Sequence, residues 1–173
     1  MKKQEVRRRN KILERTNIHS VFKGGKQLIM WRDYLTSISR ECEFKAPATE
    51  AETALIKKEL KVELPDKLAE LYKETNGVYG NYGISFVWSI EQMIKENLFF
   101  WTLHERSDFM KPLDTFLFFS DAGNGDLFGY LIADGRVQTE HIYVWNHEDD
   151  SRWRVASSLE EFIRGWMIGE ISV

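Results

Sequence analysis

The stretch Phe116-Leu-Phe-Phe-Ser-Asp-Ala-Gly-Asn-Gly-Asp-Leu-Phe-Gly-Tyr-Leu-Ile132 reads as a β-hairpin. Its first four residues form a short apolar run, the pattern of a strand buried on both faces. Leu127 to Ile132 supplies the returning strand. Between them, Gly123 and Gly125 permit positive φ, and Asp121, Asn124 and Asp126 can bond back to the turn backbone. Just downstream, Asp134-Gly135 is the strongest two-residue hairpin signal in the chain. Ile142-Tyr-Val-Trp145 and Trp153 to Ala156 follow as further strands.

Helices flank this run of strands. Trp31, Tyr34, Leu35 and Ile38 fall at i, i+3, i+4 and i+7, which predicts a helix over about 30–41. Thr49-x-x-Glu52 is a capping box for a helix with Leu55, Ile56 and Leu60 inward. Leu64-Pro65 stops it and starts another, with Pro in the first turn and Leu68, Leu71 and Tyr72 inward. Thr75-Asn76-Gly77 ends that helix through a left-handed residue. Ile84 to Trp88 reads as a strand, and Ser89-x-x-Gln92 opens a helix carrying Ile90, Met93, Ile94 and Leu98. Phe99-Phe100-Trp101 either continues that helix or begins a strand. Ser158-x-x-Glu161 caps a last helix with Leu159, Phe162, Ile163, Trp166 and Met167 on one side and Gly169 near its end.

Segregated runs of helices and strands indicate an α+β fold. The expected architecture is a central, mostly antiparallel sheet of about 4–6 strands, with N-terminal helices and a C-terminal helix packed around it. Residues 1–29 are expected to be a basic N-terminal extension, flexible or weakly docked, and residues 30–173 a single α+β domain. The 173 residues include six Trp, six Tyr and eleven Phe, enough for an independent core.

No run approaches the ~20 apolar residues of a membrane helix, and no apolar signal-peptide core follows the basic start. The expected compartment is the cytoplasm. Cys42 is the only cysteine, so no internal disulfide forms, and Glu41 and Glu43 beside it disfavour a reactive thiolate. Charge is unevenly placed. Residues 1–29 hold nine Lys or Arg against two acids, while the remainder holds 15 bases against 25 acids. An acidic body disfavours nucleic acid and steers a basic partner toward itself.

Candidate chemistry is sparse. The Asp121–Asp126 turn carries closely spaced oxygen side chains, but it lacks the further acids and the bidentate Glu of a calcium loop. It also lacks the Lys-Ser/Thr ending of a phosphate loop, and its acids repel phosphate. His147-Glu148-Asp149-Asp150 is the other polar concentration. A metal trio of His104, His141 and His147 would need His141, expected in a turn between strands, to approach His147; no zinc-hydrolase spacing supports it. Ser120 has no evident His orienter and no nucleophile elbow surrounds it. No cofactor or catalytic residue is assigned. Tyr79, Tyr82 and Trp101 are candidate interface aromatics.

Three segments together resemble the SUKH superfamily, the domain shared by fungal cell-wall assembly regulators and many bacterial immunity proteins. They are Leu64-Pro-Asp-Lys-Leu-Ala-Glu-Leu-Tyr-Lys-Glu-Thr-Asn-Gly77, the Phe116–Tyr130 hairpin, and Val144-Trp-Asn-His-Glu148 with Val155 to Phe162. The resemblance spans about 49–168. It implies an α+β fold, no cofactor and no reaction, and in bacteria the binding of a cognate toxin, often a nuclease. On this resemblance Asn76, Gly77, Gly125, Trp145 and His147 are structural motif residues, and Asp121, Asp126, Glu148, Asp149 and Asp150 are candidates for touching a partner. The expected partner is a basic toxin domain, with neither nucleic acid nor membrane bound; monomer and homodimer stay open. A regulatory scaffold without a toxin, or a hydrolase or metalloenzyme built on His147, are the alternatives.

Overall fold

The computed structural model of the chain describes residues 20–23, 26–80, 84–103 and 111–173, and those below 30 by backbone alone. Strands β1 (Ser20–Lys23) and β2 (Lys26–Ile29) pair antiparallel, an element that the polar leader does not announce. The expected flexibility of the leader concerns mainly residues 1–19, outside the described residues. Then come α1 (Trp31–Ile38), β3 (Glu43–Phe44), α2 (Glu50–Leu55) running into a π-helical turn (Ile56–Leu60), and α3 (Asp66–Tyr72). Next are β4 (Val78–Tyr79), β5 (Ser85–Val87) and α4 (Ile90–Trp101). The chain finishes with β6 (Phe116–Asp121), β7 (Leu127–Ala133), β8 (Arg136–Trp145), β9 (Arg152–Ala156) and α5 (Leu159–Met167).

The fold is α+β. Strands β6-β7-β8-β9 form an antiparallel meander in sequence order, and β3-β4-β5 form a separate three-stranded antiparallel ladder. The single central sheet expected from the sequence is therefore divided. The reason lies at the outer edge of β6. Trp88, just past β5, donates one backbone bond to Phe119 O (2.9 Å), and Ser89 at once caps α4. From α4, Asn97 bonds both Phe118 N (2.9 Å) and Phe118 O (2.7 Å), and the Trp101 indole donates to Phe116 O (2.9 Å). Side chains of a helix thus occupy the edge that another strand would have used.

Burial of β6 on both faces matches its apolar run. Phe116 and Phe118 stack at 5.1 Å on the side where Trp145 and Phe100 also lie. Phe119, the extra residue where the β6–β7 register shifts, turns with Phe128 toward Phe162 of α5, at 5.4 and 4.8 Å. Two aromatic layers therefore sandwich one sheet.

Caps at Thr49, Ser89 and Ser158 form as the motifs require, each side chain accepting from the amide three residues on. Helix α1 has no side-chain cap of its own; Glu74 supplies one from across the fold, accepting from Trp31 N (2.8 Å) and Arg32 N (3.0 Å).

Several expectations need correction. Helix α1 stops at Ile38, with Ser39 already extended. Leu55 is 39% exposed, while Ile56 and Leu60 are buried as expected. Leu98 is likewise exposed, since Asn97 takes the inward position. Pro65 is the N-cap of α3 and not a residue of its first turn. Phe99-Phe100-Trp101 completes α4. His141 lies within β8, which pairs with β7 from the Asp134-Gly135 turn onward.

Both residues of that turn have positive φ (51° and 69°), as a type I′ hairpin demands. Gly135 is also a docking point: its O accepts from Glu63 N (2.8 Å), and a Cβ there would sit 2.5 Å from Lys61 O. Gly135→Ala is expected to cost about 2 kcal/mol, from the left-handed φ together with the backbone clash. Urea denaturation measures it, and a loss below about 0.5 kcal/mol would show that the 61–63 segment yields freely.

Candidate functional site

In a meander, the β6–β7 and β8–β9 turns lie at the same end of the sheet, so the two polar motifs come together there. Asp121, closing β6, accepts the Trp88 indole N–H at Oδ2 (2.7 Å) and Gly123 N at Oδ1 (3.0 Å). Asn124 Oδ1 accepts from Asp126 N (2.9 Å), and its Nδ2 donates to Asp126 Oδ2 (3.1 Å). These bonds, with Gly123 and Gly125 at φ 78° and 112°, make the turn self-supporting.

Asp126 joins the two turns. Its Oδ1 accepts from both the backbone N (3.0 Å) and the ring Nδ1 (2.7 Å) of His147. The imidazole lies on Gly125, where a Cβ would be 3.0 Å from the ring. Burial pushes the Asp126 carboxyl up, but the His147 and Asn124 hydrogen bonds outweigh it and hold it below its ordinary value. The carboxylate is thus ionised and Nδ1 is the donor. At 1% exposed, Asp126 presents no surface to a partner.

The second turn is built the same way. Asn146 Oδ1 accepts from Glu148 N (2.8 Å) and Asp149 N (3.3 Å), and Asp149 Oδ1 accepts from Ser151 N (2.9 Å). Asp150, at φ 58°, accepts the Trp145 indole N–H (2.8 Å) and Arg152 Nη2 (2.9 Å) at Oδ1 and Lys111 N (3.1 Å) at Oδ2. Burial raises the Asp150 carboxyl, yet these donors bring it below its usual value.

Each turn therefore pairs an aspartate with a tryptophan indole, Trp88–Asp121 and Trp145–Asp150. Sequence reasoning had no means of finding either pair. Of the five acidic candidates, Asp121, Asp126 and Asp150 spend their carboxylates on the fold, and Asp149 spends one oxygen on Ser151 N. Glu148 and Asp149 stand exposed on a backbone those bonds hold rigid, beside His147 at 40% side-chain exposure.

Asn76 and Gly77 lie elsewhere. Asn76 Oδ1 accepts from Ile90 N (2.9 Å) at the start of α4, and its Nδ2 donates to Glu52 (3.2 Å) of the first capping box. Gly77, at φ 105°, packs against the Tyr79 ring, where a Cβ would come within 2.8 Å. Among the interface aromatics, the Lys45 ammonium lies over the Tyr79 ring at 4.6 Å, and the Trp101 indole N–H is spent on β6. Tyr82 and His104 lie outside the described residues. Among the described residues no group of three His, Cys, Asp or Glu could hold a metal ion, and no helix is long and apolar enough to cross a membrane. Burial raises the Cys42 thiol above its ordinary value.

A family model, SUKH_6, described as SMI1-KNR4 cell-wall, matches residues 50–163, well over half of the chain. The matched span takes in all three segments singled out in the sequence and both turns of this site. No curated protein matches the chain.

Proposed function

The chain belongs to the SUKH_6 family, and on that premise we propose that it is a non-catalytic binding protein, an immunity protein that binds and neutralises a cognate bacterial toxin. The observation that carries this reading is the pair of turns at one end of the sheet. Their internal bonds occupy Asp121, Asp126, Asp150 and one oxygen of Asp149, and leave the Glu148 and Asp149 side chains exposed on a pre-organised loop. Rigid presentation reduces the entropy cost of docking, and an acidic rim on an acidic body suits a basic partner. A nuclease is such a partner, because its substrate cleft must attract phosphate. Asp121, Asp126 and Asp150 shape the rim and Glu148 and Asp149 make the contact, in the cytoplasm and without a cofactor.

The test is co-purification with the product of the adjacent open reading frame, followed by association kinetics. A 1:1 complex is expected, with an association rate that falls about tenfold or more as salt rises from low to physiological levels. Glu148→Lys is expected to slow association further while leaving the fold intact, since that side chain is exposed and takes no part in the bonds of the turn. Failure of co-expression to rescue cells from that toxin sinks the reading. The family's cell-wall description favours a second reading, a regulatory interaction module with no toxin. A pull-down that returns endogenous regulatory proteins, with no toxin encoded nearby, would select it.

A further inference from the structure

At the other end of the meander, beside the Asp134-Gly135 hairpin, a cavity of about 330 Å³ opens between β8, the 63–67 segment and the start of α5. Tyr130 and Leu159 are its buried lining, and Leu64 and Val137 add apolar wall. Tyr130 is 1% exposed, and no described residue hydrogen-bonds its hydroxyl. Tyr130 lines the cavity, so its hydroxyl is open to a group that enters there.

The charges around it are unequally committed. Lys67 is bridged to Glu70 (3.0 Å) and Glu160 (3.7 Å), and Arg136 to Glu63 (3.4 Å). Lys67 is thus matched by two carboxylates, whereas Arg136 shares Glu63 with Lys57 (3.1 Å) and extends into solvent. Glu140 makes no hydrogen bond or ion pair among the described residues, yet its charge acts on both Lys67 and Tyr130. The three acids of the lining, Glu63, Asp66 and Glu140, outnumber its two bases, and Glu70 and Glu160 beside Lys67 add to the negative charge. Such a site attracts a cation with hydrogen-bond donors and repels a carboxylate or phosphate. The volume lies at the bottom of the ~300–1,000 Å³ range of ligand pockets, which suits one long side chain better than a cofactor. Leu64, Val137 and Leu159 can flank the methylene stem of an arginine or lysine whose head reaches Glu140.

We propose that this cavity receives an arginine or lysine side chain of the protein partner, with Glu140 as counter-ion and the Tyr130 hydroxyl as acceptor. The inference rests on the chain's being a partner-binding protein, but not on the partner's being a toxin. It adds a second contact at the end of the sheet opposite the Glu148–Asp149 rim.

The experiment is an NMR titration of the intact protein at low salt with N-acetyl-arginine amide and N-acetyl-lysine amide, against the glutamine and glutamate amides. Saturable shifts at Tyr130, Thr139, Glu140 and Leu159 are expected for one or both cations and for neither control. Glu140→Gln is expected to weaken binding about tenfold, the loss of one charged hydrogen bond. Tyr130→Phe is expected to weaken it several-fold while leaving Tm unchanged or raised, since the hydroxyl it removes has no protein partner. No saturable shift at those residues, equal binding of the glutamate amide, or unaltered affinity in both variants overturns the proposal. These arms need no partner. A failed toxin complex beside cation binding in the cavity sinks the proposed function alone, and a normal complex beside an unresponsive cavity sinks this inference alone.

Discussion

Asn97→Ala is expected to destabilise the protein by about 3–5 kcal/mol, from two orphaned backbone groups and a buried cavity. Asn97 is fully buried in α4 and acts as a piece of strand. Its Oδ1 accepts from Phe118 N (2.9 Å), and its Nδ2 donates to Phe118 O (2.7 Å) and Met93 O (2.7 Å). Truncation leaves an N–H and a C=O of β6 unpaired inside the core, where each costs about 1–3 kcal/mol. It also uncovers the outer edge of β6, whose Phe116–Phe119 run is fully buried, so the variant should aggregate at concentrations the parent tolerates. Asn97→Asp should be no better, because a carboxylate oxygen would face two carbonyls. Urea unfolding with an unchanged m-value measures the effect. A loss under about 1 kcal/mol would mean that β6 does not depend on the helix for its edge.

Asp126→Ala is expected to cost about 2–4 kcal/mol and to flatten the acid limb of the stability curve. Three donors converge on this carboxylate: the amide and ring of His147 and the Asn124 side chain. Removing it unties the β6–β7 turn from the β8–β9 turn and leaves the His147 amide without its acceptor. The pH dependence follows from the lowered folded value. The unfolded chain binds that proton more readily than the native one, so the stabilisation is complete above the unfolded value of about 3.9 and is lost as pH falls through the lower folded value. Asp150, also lowered, adds to the same window. Stability of the parent should therefore fall steeply below about pH 4, and Asp126→Ala should remove part of that slope while Asp150 and the other lowered carboxylates, Glu52, Glu63 and Asp149, keep the rest. Denaturation midpoints from pH 2.5 to 6 decide it. A variant whose acid slope equals the parent's would show that the aspartate is not linked to folding through its charge.

How much could be read beforehand depended on the distance between interacting residues along the chain. The Asp121–Asp126 turn, the Asp134-Gly135 hairpin and the three helix caps were legible because each is completed within about six residues. The apolar run of β6 and the stripes of α3 and α5 were legible because burial imposes a local period. Asn97 carried a visible signal, a polar residue on the inward stripe of α4, but nothing near it names Phe118 as its partner. Glu74 gave no sign of capping α1, 43 residues earlier. The five acids of the candidate site looked alike in sequence. Tertiary structure separated them, burying Asp126 beneath His147, tying Asp121 and Asp150 to tryptophans, and leaving Glu148 and Asp149 in solvent.

The hairpin around Asp121–Asp126 and the α+β order of elements were thus determined by the sequence alone, since turn chemistry and hydrophobic period act on near neighbours. Tertiary structure decided which edge of β6 is closed by a helix, which carboxylates reach the surface, and that Glu140 and the Tyr130 hydroxyl share a cavity. Those outcomes depend on groups brought together from distant parts of the chain, where the burial of one atom is set by side chains that no local pattern encodes.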